Sequence, residues 1–248
     1  MCAGLLMRSS GKSVVILEKT DLVGGTTARS GGVMWIPDNP FMRRDGVEDS
    51  YEKAATYLDT LVGDHEDAPG ATRVRRHTYL REGPEMVDFL LGQGIRLTRA
   101  AYWPDYYDEM PGGSVPGRTV IAELFDLNQL GPWKKKLRPG FLMLPARLEE
   151  AMLMPRIRVM GRARLVMLRI ALRVIAGLIT RKRLVGAGMG LQGWMLQASL
   201  RAGVDVRTEA PVTGLIVDDG AVTGVLTVRD GKPWRIGTEI YGDRDILP

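Results

Sequence analysis

The 248-residue sequence is poor in the residues that build covalent and metal-based sites. Cys2 is its only cysteine, which excludes an internal disulfide and a cysteine-rich metal centre. His65 and His77 are its only histidines. Neither has a histidine or cysteine partner at metal-ligand spacing, so both read as surface residues and no metal is expected. Long apolar runs are missing too. The core Leu165–Ile179 is shorter than the ~20 residues of a membrane span, and Arg169 and Arg173 interrupt it. MCAGLLM is too short for a signal core, and no basic region precedes it. No internal repeat or low-complexity segment is visible. These absences together predict a cytoplasmic chain. The net charge of +5 is only a weak hint of an acidic partner, and 45% hydrophobic with 25% charged residues is an ordinary globular balance.

The patterning that is present predicts alternating helices and strands. Residues 1–10 read as a helix stopped by Gly11. Ser13–Lys19 is an unbroken apolar run, as in a parallel strand buried on both faces. Residues 20–40 are a Gly- and Pro-rich loop with a short helical start. Helical spacing recurs over 48–62 and 83–92, with Pro84 near the start of the second, where proline is tolerated. Residues 101–118 form an irregular loop dense in Tyr, Pro and Gly. Residues 147–183 should be mostly helical, with Arg158, Arg162, Arg169 and Arg173 on one face. Such a stripe is ordinarily solvated; weak contact of residues 156–183 with a membrane surface is the alternative kept, and no nucleic-acid partner is expected. Residues 188–202 read as a helix ended by Gly203, followed by the strand VDVRT. Asp219-Gly220 and Asp230-Gly231 then divide three β-rich runs into a meander.

Several residues carry candidate chemistry. Glu18 closes the apolar strand, where an acid can accept hydrogen bonds from a ribose; a solvated strand-end acid is the plain alternative. In a dinucleotide-binding unit a Gly-rich phosphate turn lies about 20 residues upstream of that acid. Counting back from Glu18 passes Met1. Gly24, Gly25, Gly31 and Gly32 permit positive φ and close ligand approach, or simply a turn. Thr26, Thr27 and Ser30 offer hydroxyls that can cap a helix start. Pro211, between Ala210 and Val212, fixes an extended approach or opens an ordinary strand. Tyr106 and Tyr107 are either chemical residues or loop aromatics packed on the domain. The carboxylates between Asp105 and Glu109 find no other support for glycosidase chemistry.

Three blocks, VVILEKTDLVGGTTARSGGVMWIP, PDYYDEMPGGSVPGR and GMGLQGWMLQASLRAGVDVRTEAPVTGLIVDDGAVTGV, occur in one order over most of the chain. They resemble the FAD-binding domain of the fumarate reductase/succinate dehydrogenase flavoproteins, and within that family the 3-oxosteroid 1-dehydrogenases. The resemblance implies an α/β fold: a partial Rossmann-like FAD-binding domain without its first strand and Gly-rich loop, with a β-meander and a helical insertion. It divides the chain into an FAD-contacting remnant (1–40), a mostly helical insertion (41–187), a helix, strand and meander (188–237) and an irregular tail (238–248). It implies FAD as cofactor and a steroid or other small molecule as substrate. Glu18 and Lys19 would lie on the ribose side, Gly24–Gly32 along the ribityl and pyrophosphate side, and Ala210–Val212 against the adenine. Tyr106, with Tyr107 as fallback, would assist a base that removes a proton beside a ketone while a hydride goes to the flavin.

The family pattern also begins earlier and ends later than this sequence. The expectation is therefore a chain that starts after the phosphate loop and lacks the family's base tyrosine. It would hold FAD weakly on its own and be poorly stable. Two other readings stand beside it: a non-catalytic or partner-completed fragment, and a basic-helix binder of anionic surfaces.

Overall fold

The structure is a computed structural model that describes residues 1–64, 69–229 and 231–237. His65, Asp230 and the tail 238–248 lie outside the described residues. In chain order the elements are α1 (Cys2–Ser9), β1 (Val15–Leu17), α2 (Gly25–Arg29), β2 (Met34–Trp35), α3 (Pro40–Arg44), α4 (Tyr51–Val62), α5 (Arg73–Gly92), β3 (Leu97–Arg99), β4 (Thr119–Ala122) and β5 (Phe125–Asp126). They continue with α6 (Leu148–Ala151), α7 (Gly161–Thr180), β6 (Leu184–Val185), α8 (Ala187–Arg201), β7 (Asp205–Arg207), β8 (Val212–Asp218), β9 (Ala221–Arg229) and β10 (Lys232–Gly237). The described residues divide into two compact units, one formed by residues 3–23 with 199–229 and 231–237, the other by 24–64 with 69–198.

In the first unit, β1 pairs in parallel with β7, Val15 opposite Asp205 and Leu17 opposite Arg207. Gly4 lets α1 lie close to β1: a Cβ there would sit 3.2 Å from Ile16 Cδ1. Gly11, at φ +78°, then reverses the chain as expected. β1 is half-buried along its length rather than buried on both faces. Among the described residues it has α1 against it and one parallel neighbour, β7. β8, β9 and β10 form the expected antiparallel meander, in the order β10-β9-β8. Asp219 and Gly220 both have positive φ, 47° and 78°, as a type I′ hairpin turn requires.

The second unit is built on two small antiparallel sheets, β2-β4-β3 and β5-β6. β4 is buried throughout. Ile121 from β4, Leu148 from α6, Val166 and Ile170 from α7 and Ala187 from α8 share one core cluster. A second cluster joins α4 and α5 through Ala54, Ala55 and Leu80. Ser50 caps α4, its Oγ accepting from Lys53 N–H at 3.2 Å. Thr72 caps α5 in the same way, 3.4 Å from Arg75 N.

The structure corrects three local expectations. α5 begins at Arg73, ten residues before 83, so Pro84 lies inside it. Packing outweighs the hydrogen bond lost at the proline: Leu80, Val87 and Leu90 are all buried. Arg158 precedes α7 in a turn and is not on its face, whereas Arg162, Arg169 and Arg173 are in the helix. His77 is not a surface residue. Its side chain is 18% exposed, Nδ1 lies 2.5 Å from Tyr51 Oη and Nε2 3.1 Å from Asp59 Oδ2.

Candidate functional site

Glu18 follows β1 at the carboxyl edge of the parallel pair. Its N–H donates to the Arg207 carbonyl (2.8 Å) and its carbonyl accepts from Ala210 N–H (2.9 Å). Thr20 carbonyl accepts from Glu209 N–H at 2.8 Å. Residues 18–20 are thus zipped to 207–210. Glu209 is at φ +56°, and this turn carries the Ala210 N–H back to Glu18. The Glu18 carboxylate is oriented locally: Oε1 accepts from the N–H and the hydroxyl of Thr20, each at 2.9 Å. Ala210 is buried and Pro211 half-buried, while Lys19 and Val212 are exposed.

A cleft of about 750 Å³ opens beside this turn, lined by Asp205, Arg207, Thr208, Glu209, Ala210 and Trp234 among others. Arg207 is held by Asp205 (Nη2 to Oδ2, 2.5 Å), and its guanidinium lies 4.6 Å from the centre of the Trp234 ring. An oriented carboxylate and a flat aromatic surface suit hydroxyl and ring recognition, respectively. Of the residues expected to contact the cofactor, Ala210 lines this cleft, whereas Glu18 and Pro211 do not.

In the second unit, Gly24 and Gly25 open α2 at φ +121° and +51°. No hydroxyl caps that start: Gly24 is the N-cap residue, with no side-chain bond. Thr26 and Thr27 lie within the helix, exposed. Ser30 is at the other end, its hydroxyl donating to the Thr27 carbonyl (2.9 Å) and accepting from Gly32 N–H (3.0 Å). The capping expectation fails because two consecutive positive-φ glycines turn the chain directly into the helix.

The four glycines are not equivalent. A Cβ on Gly32 would lie 2.7 Å from the Gly188 Cα, and one on Gly188 only 1.8 Å from the Thr27 carbonyl oxygen. Gly188 N–H also donates to the Ser30 carbonyl at 3.0 Å. Gly32 is therefore required by backbone-on-backbone packing. Gly31 is crowded by Leu148, 2.9 Å from its Cβ position. At Gly25 nothing lies within 4 Å, so it has the open surface that a ligand would need.

The loop 101–118 is anchored from beneath. Arg118 is fully buried and makes a two-point pair with Asp49 (Nε 2.8 Å, Nη2 2.6 Å) and a third bond to Asp105 (Nη1, 2.9 Å). Asp105 also accepts from Trp35 Nε1 (2.6 Å) and Ser114 N–H (3.1 Å). The guanidinium lies 5.7 Å from the ring centres of both Trp35 and Tyr57. Tyr57 Oη accepts from Tyr107 N–H at 3.3 Å. Burial pushes the Tyr57 phenol above its ordinary pKa; the Tyr107 amide and Arg118 oppose this, and Asp105 and Glu109 add to it. Tyr57 consequently stays neutral and holds the loop.

Above this anchor Tyr106 is 89% exposed and Tyr107 55% exposed. Tyr106 does not pack on the domain as a loop aromatic would. Tyr107 is tied by its backbone, its ring largely in solvent. The sequence reading missed Tyr57 and Arg118. Tyr57 was detectable only as an apolar-face position of α4, and Arg118 carried no periodic signal because its partners are 69 and 13 residues away.

No helix among the described residues is long and apolar enough to cross a membrane. The FAD binding domain family matches residues 1–239. A 3-oxosteroid 1-dehydrogenase of Mycolicibacterium smegmatis is 37% identical over 235 residues, 93% of this chain and 40% of that protein. One from Mycobacterium tuberculosis is 34% identical over 235 residues, 93% of this chain and 41% of that protein. The crystal structure of 3-ketosteroid delta1-dehydrogenase from Sterolibacterium denitrificans, in complex with 1,4-androstadiene-3,17-dione, superposes with a TM-score of 0.82 at 29% identity, covering 95% of this chain and 43% of that one. The chain thus spans about two fifths of the length of these relatives. It belongs to the FAD-binding domain family of flavoproteins, of the fumarate reductase type, and is related to the 3-oxosteroid 1-dehydrogenases.

Proposed function

We propose that this chain supplies the FAD-binding part of a cytoplasmic oxidoreductase that desaturates the C1–C2 bond of a 3-ketosteroid, and that the isolated chain does not turn over unaided. The observation that carries the reading is the zipped turn at Glu18 and Ala210 in a chain 37% identical to a 3-oxosteroid 1-dehydrogenase. Bound FAD supplies the hydride acceptor.

The residues of the chain have the remaining tasks. Glu18, its Oε1 pinned by Thr20, presents its other oxygen to a ribose hydroxyl, with Lys19 on the same turn. Ala210, Pro211 and Val212 offer an extended backbone edge to the adenine. Gly24, Gly25, Thr26, Thr27, Ser30, Gly31 and Gly32 form the ribityl and pyrophosphate side, with Gly25 and the exposed threonines as the contact surface. Tyr106 assists removal of the proton beside the ketone, and Tyr107 is the fallback. A free phenol has a pKa near 10, so this role requires a neighbour that stabilises the phenolate. Both rings are exposed in this chain, which is why turnover is expected only when further protein covers the loop. A non-catalytic or partner-completed fragment is the second reading, favoured by the share of the relatives that the chain spans.

The test is incubation with FAD, removal of free flavin and a visible spectrum, followed by dye reduction with a 3-ketosteroid. Retained flavin lost in Glu18→Gln supports the binding assignment. A folded, colourless protein refutes it. Turnover by the isolated chain refutes its need for further protein, and turnover that also survives both Tyr106→Phe and Tyr107→Phe refutes the tyrosine roles.

A further inference from the structure

α7 carries an apolar face on each side. Ala163, Val166 and Ile170 are buried in the core. Leu165, Leu168, Leu172, Ile175 and Ile179 are 50–78% exposed, and they fall at i, i+3, i+7, i+10 and i+14, a single stripe opposite the buried one. The helix is 20 residues long, about 30 Å at ~1.5 Å per residue. Leu178, 77% exposed, faces a hollow of about 430 Å³ whose other wall includes Met143 and Leu144, themselves 56% and 42% exposed.

The charge in this stretch of sequence has one sign, although Asp126 from outside it accepts from Arg183 N–H at 3.0 Å. Residues 151–204 contain no Asp or Glu, and residues 151–183 contain nine Arg or Lys. Arg173 pairs with Glu150 at 2.5 Å, Arg162 lies over the exposed Tyr102 ring, and Arg164 donates to the carbonyls of Ile157 and Arg158, each at 3.2 Å. Arg181, Lys182 and Arg183 are exposed at the end of the stripe, Arg181 at φ +57° where the helix stops, and their side chains reach the rim of the same hollow.

We propose that the outer face of α7, with the 181–183 cluster, is a docking surface for an anionic lipid membrane. The helix lies in the plane of the interface. A wide apolar stripe flanked by cations, on a helix that itself carries no acid, is the pattern of an interfacial helix. Water alone gives no reason for the stripe, since about six large aliphatic side chains in a row exceed the scattered exposure of an ordinary surface. A second copy of the chain would have to meet the same unneutralised cations across a symmetric contact, which favours an anionic partner over self-association. The proposal does not depend on the assigned chemistry.

The test is co-sedimentation of the full chain with vesicles of phosphatidylcholine containing about one third phosphatidylglycerol, and with pure phosphatidylcholine vesicles, at roughly 0.05 M and 0.5 M salt. The expected result is pelleting with the anionic vesicles at low salt, weakened at high salt and on the neutral vesicles. Arg181→Glu/Lys182→Glu/Arg183→Glu should lower partitioning by well over tenfold, at roughly fivefold per basic residue near the surface. Leu168→Asp/Ile179→Asp, at positions with no role in the core, should do the same with an unchanged circular dichroism spectrum. Absence of pelleting at low salt overturns the proposal. So does a stable dimer that Leu168→Asp/Ile179→Asp breaks while vesicles have no effect. Binding lost in the charge variant, kept in the apolar one and competed equally by a DNA duplex would make the surface a polyanion site and overturn it as well.

Discussion

Replacing Arg118 by methionine isolates the energetics of the buried polar cluster. Arg118 and the side chains of Asp49 and Asp105 are 0–1% exposed, so neither carboxylate can turn to water when the guanidinium is removed. Asp105 keeps two donors, Trp35 Nε1 and Ser114 N–H. Asp49 keeps the Asp38 N–H at 3.0 Å and loses both of its bonds to the guanidinium. Removing one partner of a buried pair costs about 3–5 kcal/mol, and here two anions lose the same cation, so the upper end applies. In a chain of this size each kcal/mol lowers Tm by about 2–4 °C, giving a fall on the order of 10–20 °C. The assay is urea and thermal unfolding followed by tryptophan fluorescence. Arg118→Met with Asp49→Asn should be more stable than Arg118→Met alone, because the stranded charge is gone. A loss below about 1 kcal/mol, or a double variant no better than the single one, refutes the reasoning.

Gly32→Ala should destabilise the chain by more than about 2 kcal/mol because its Cβ meets backbone 2.7 Å away, whereas Gly25→Ala should cost only the ~1 kcal/mol of an open positive-φ site; comparative denaturation separates them, and equal losses would sink the distinction. Stability should fall on acidification. Burial alone would raise the Glu150 carboxyl, but Arg173 and the Arg147 amide outweigh it and hold it low; Arg44 and Arg99 hold Asp45 low. For carboxyls depressed in the folded state, the contribution is present above the unfolded pKa near 4 and is lost as pH drops through the folded value. Glu150→Gln should therefore flatten Tm between about pH 5 and 3, and an unchanged slope would exclude it as a source. Neighbouring Glu149, raised by burial, has the opposite sign, so Glu149→Gln should not lower Tm at neutral pH. Glu18→Gln should weaken FAD retention by about tenfold if a charge-assisted bond to a hydroxyl is lost, read by equilibrium flavin fluorescence; unchanged affinity removes Glu18 from the site.

What could be read from the sequence followed the range of the forces involved. Local patterns gave α1, β1, α4, α8 and the meander with its Asp219-Gly220 turn, because spacing and turn chemistry act over a few residues. α5 was cut short at Pro84, since tertiary packing of Leu80 and Val87 is not visible to a local rule. The short strands β2 to β6, two to four residues each, are too brief to show alternation. Of the candidate site, the residue types of Glu18 and the glycine block were legible. That Gly32 serves packing while Gly25 faces open space was not, because the decisive neighbour, Gly188, is 156 positions further along the chain. Arg118 was invisible for the same reason.

The contact between Gly32 and Gly188 has a consequence for how the chain tolerates mutation. Most clashes in a protein can be relieved by trimming the opposing side chain. Here the obstacle at each position is main chain, which every amino acid shares, so no second-site replacement at the partner can rescue a substituted residue. In a saturation library selected only for folding, with no ligand in the medium, these two positions should return glycine independently of one another. Gly25 should drift. A glycine that reads as a mark of cofactor binding is, at position 32, a mark of how closely two stretches of backbone cross.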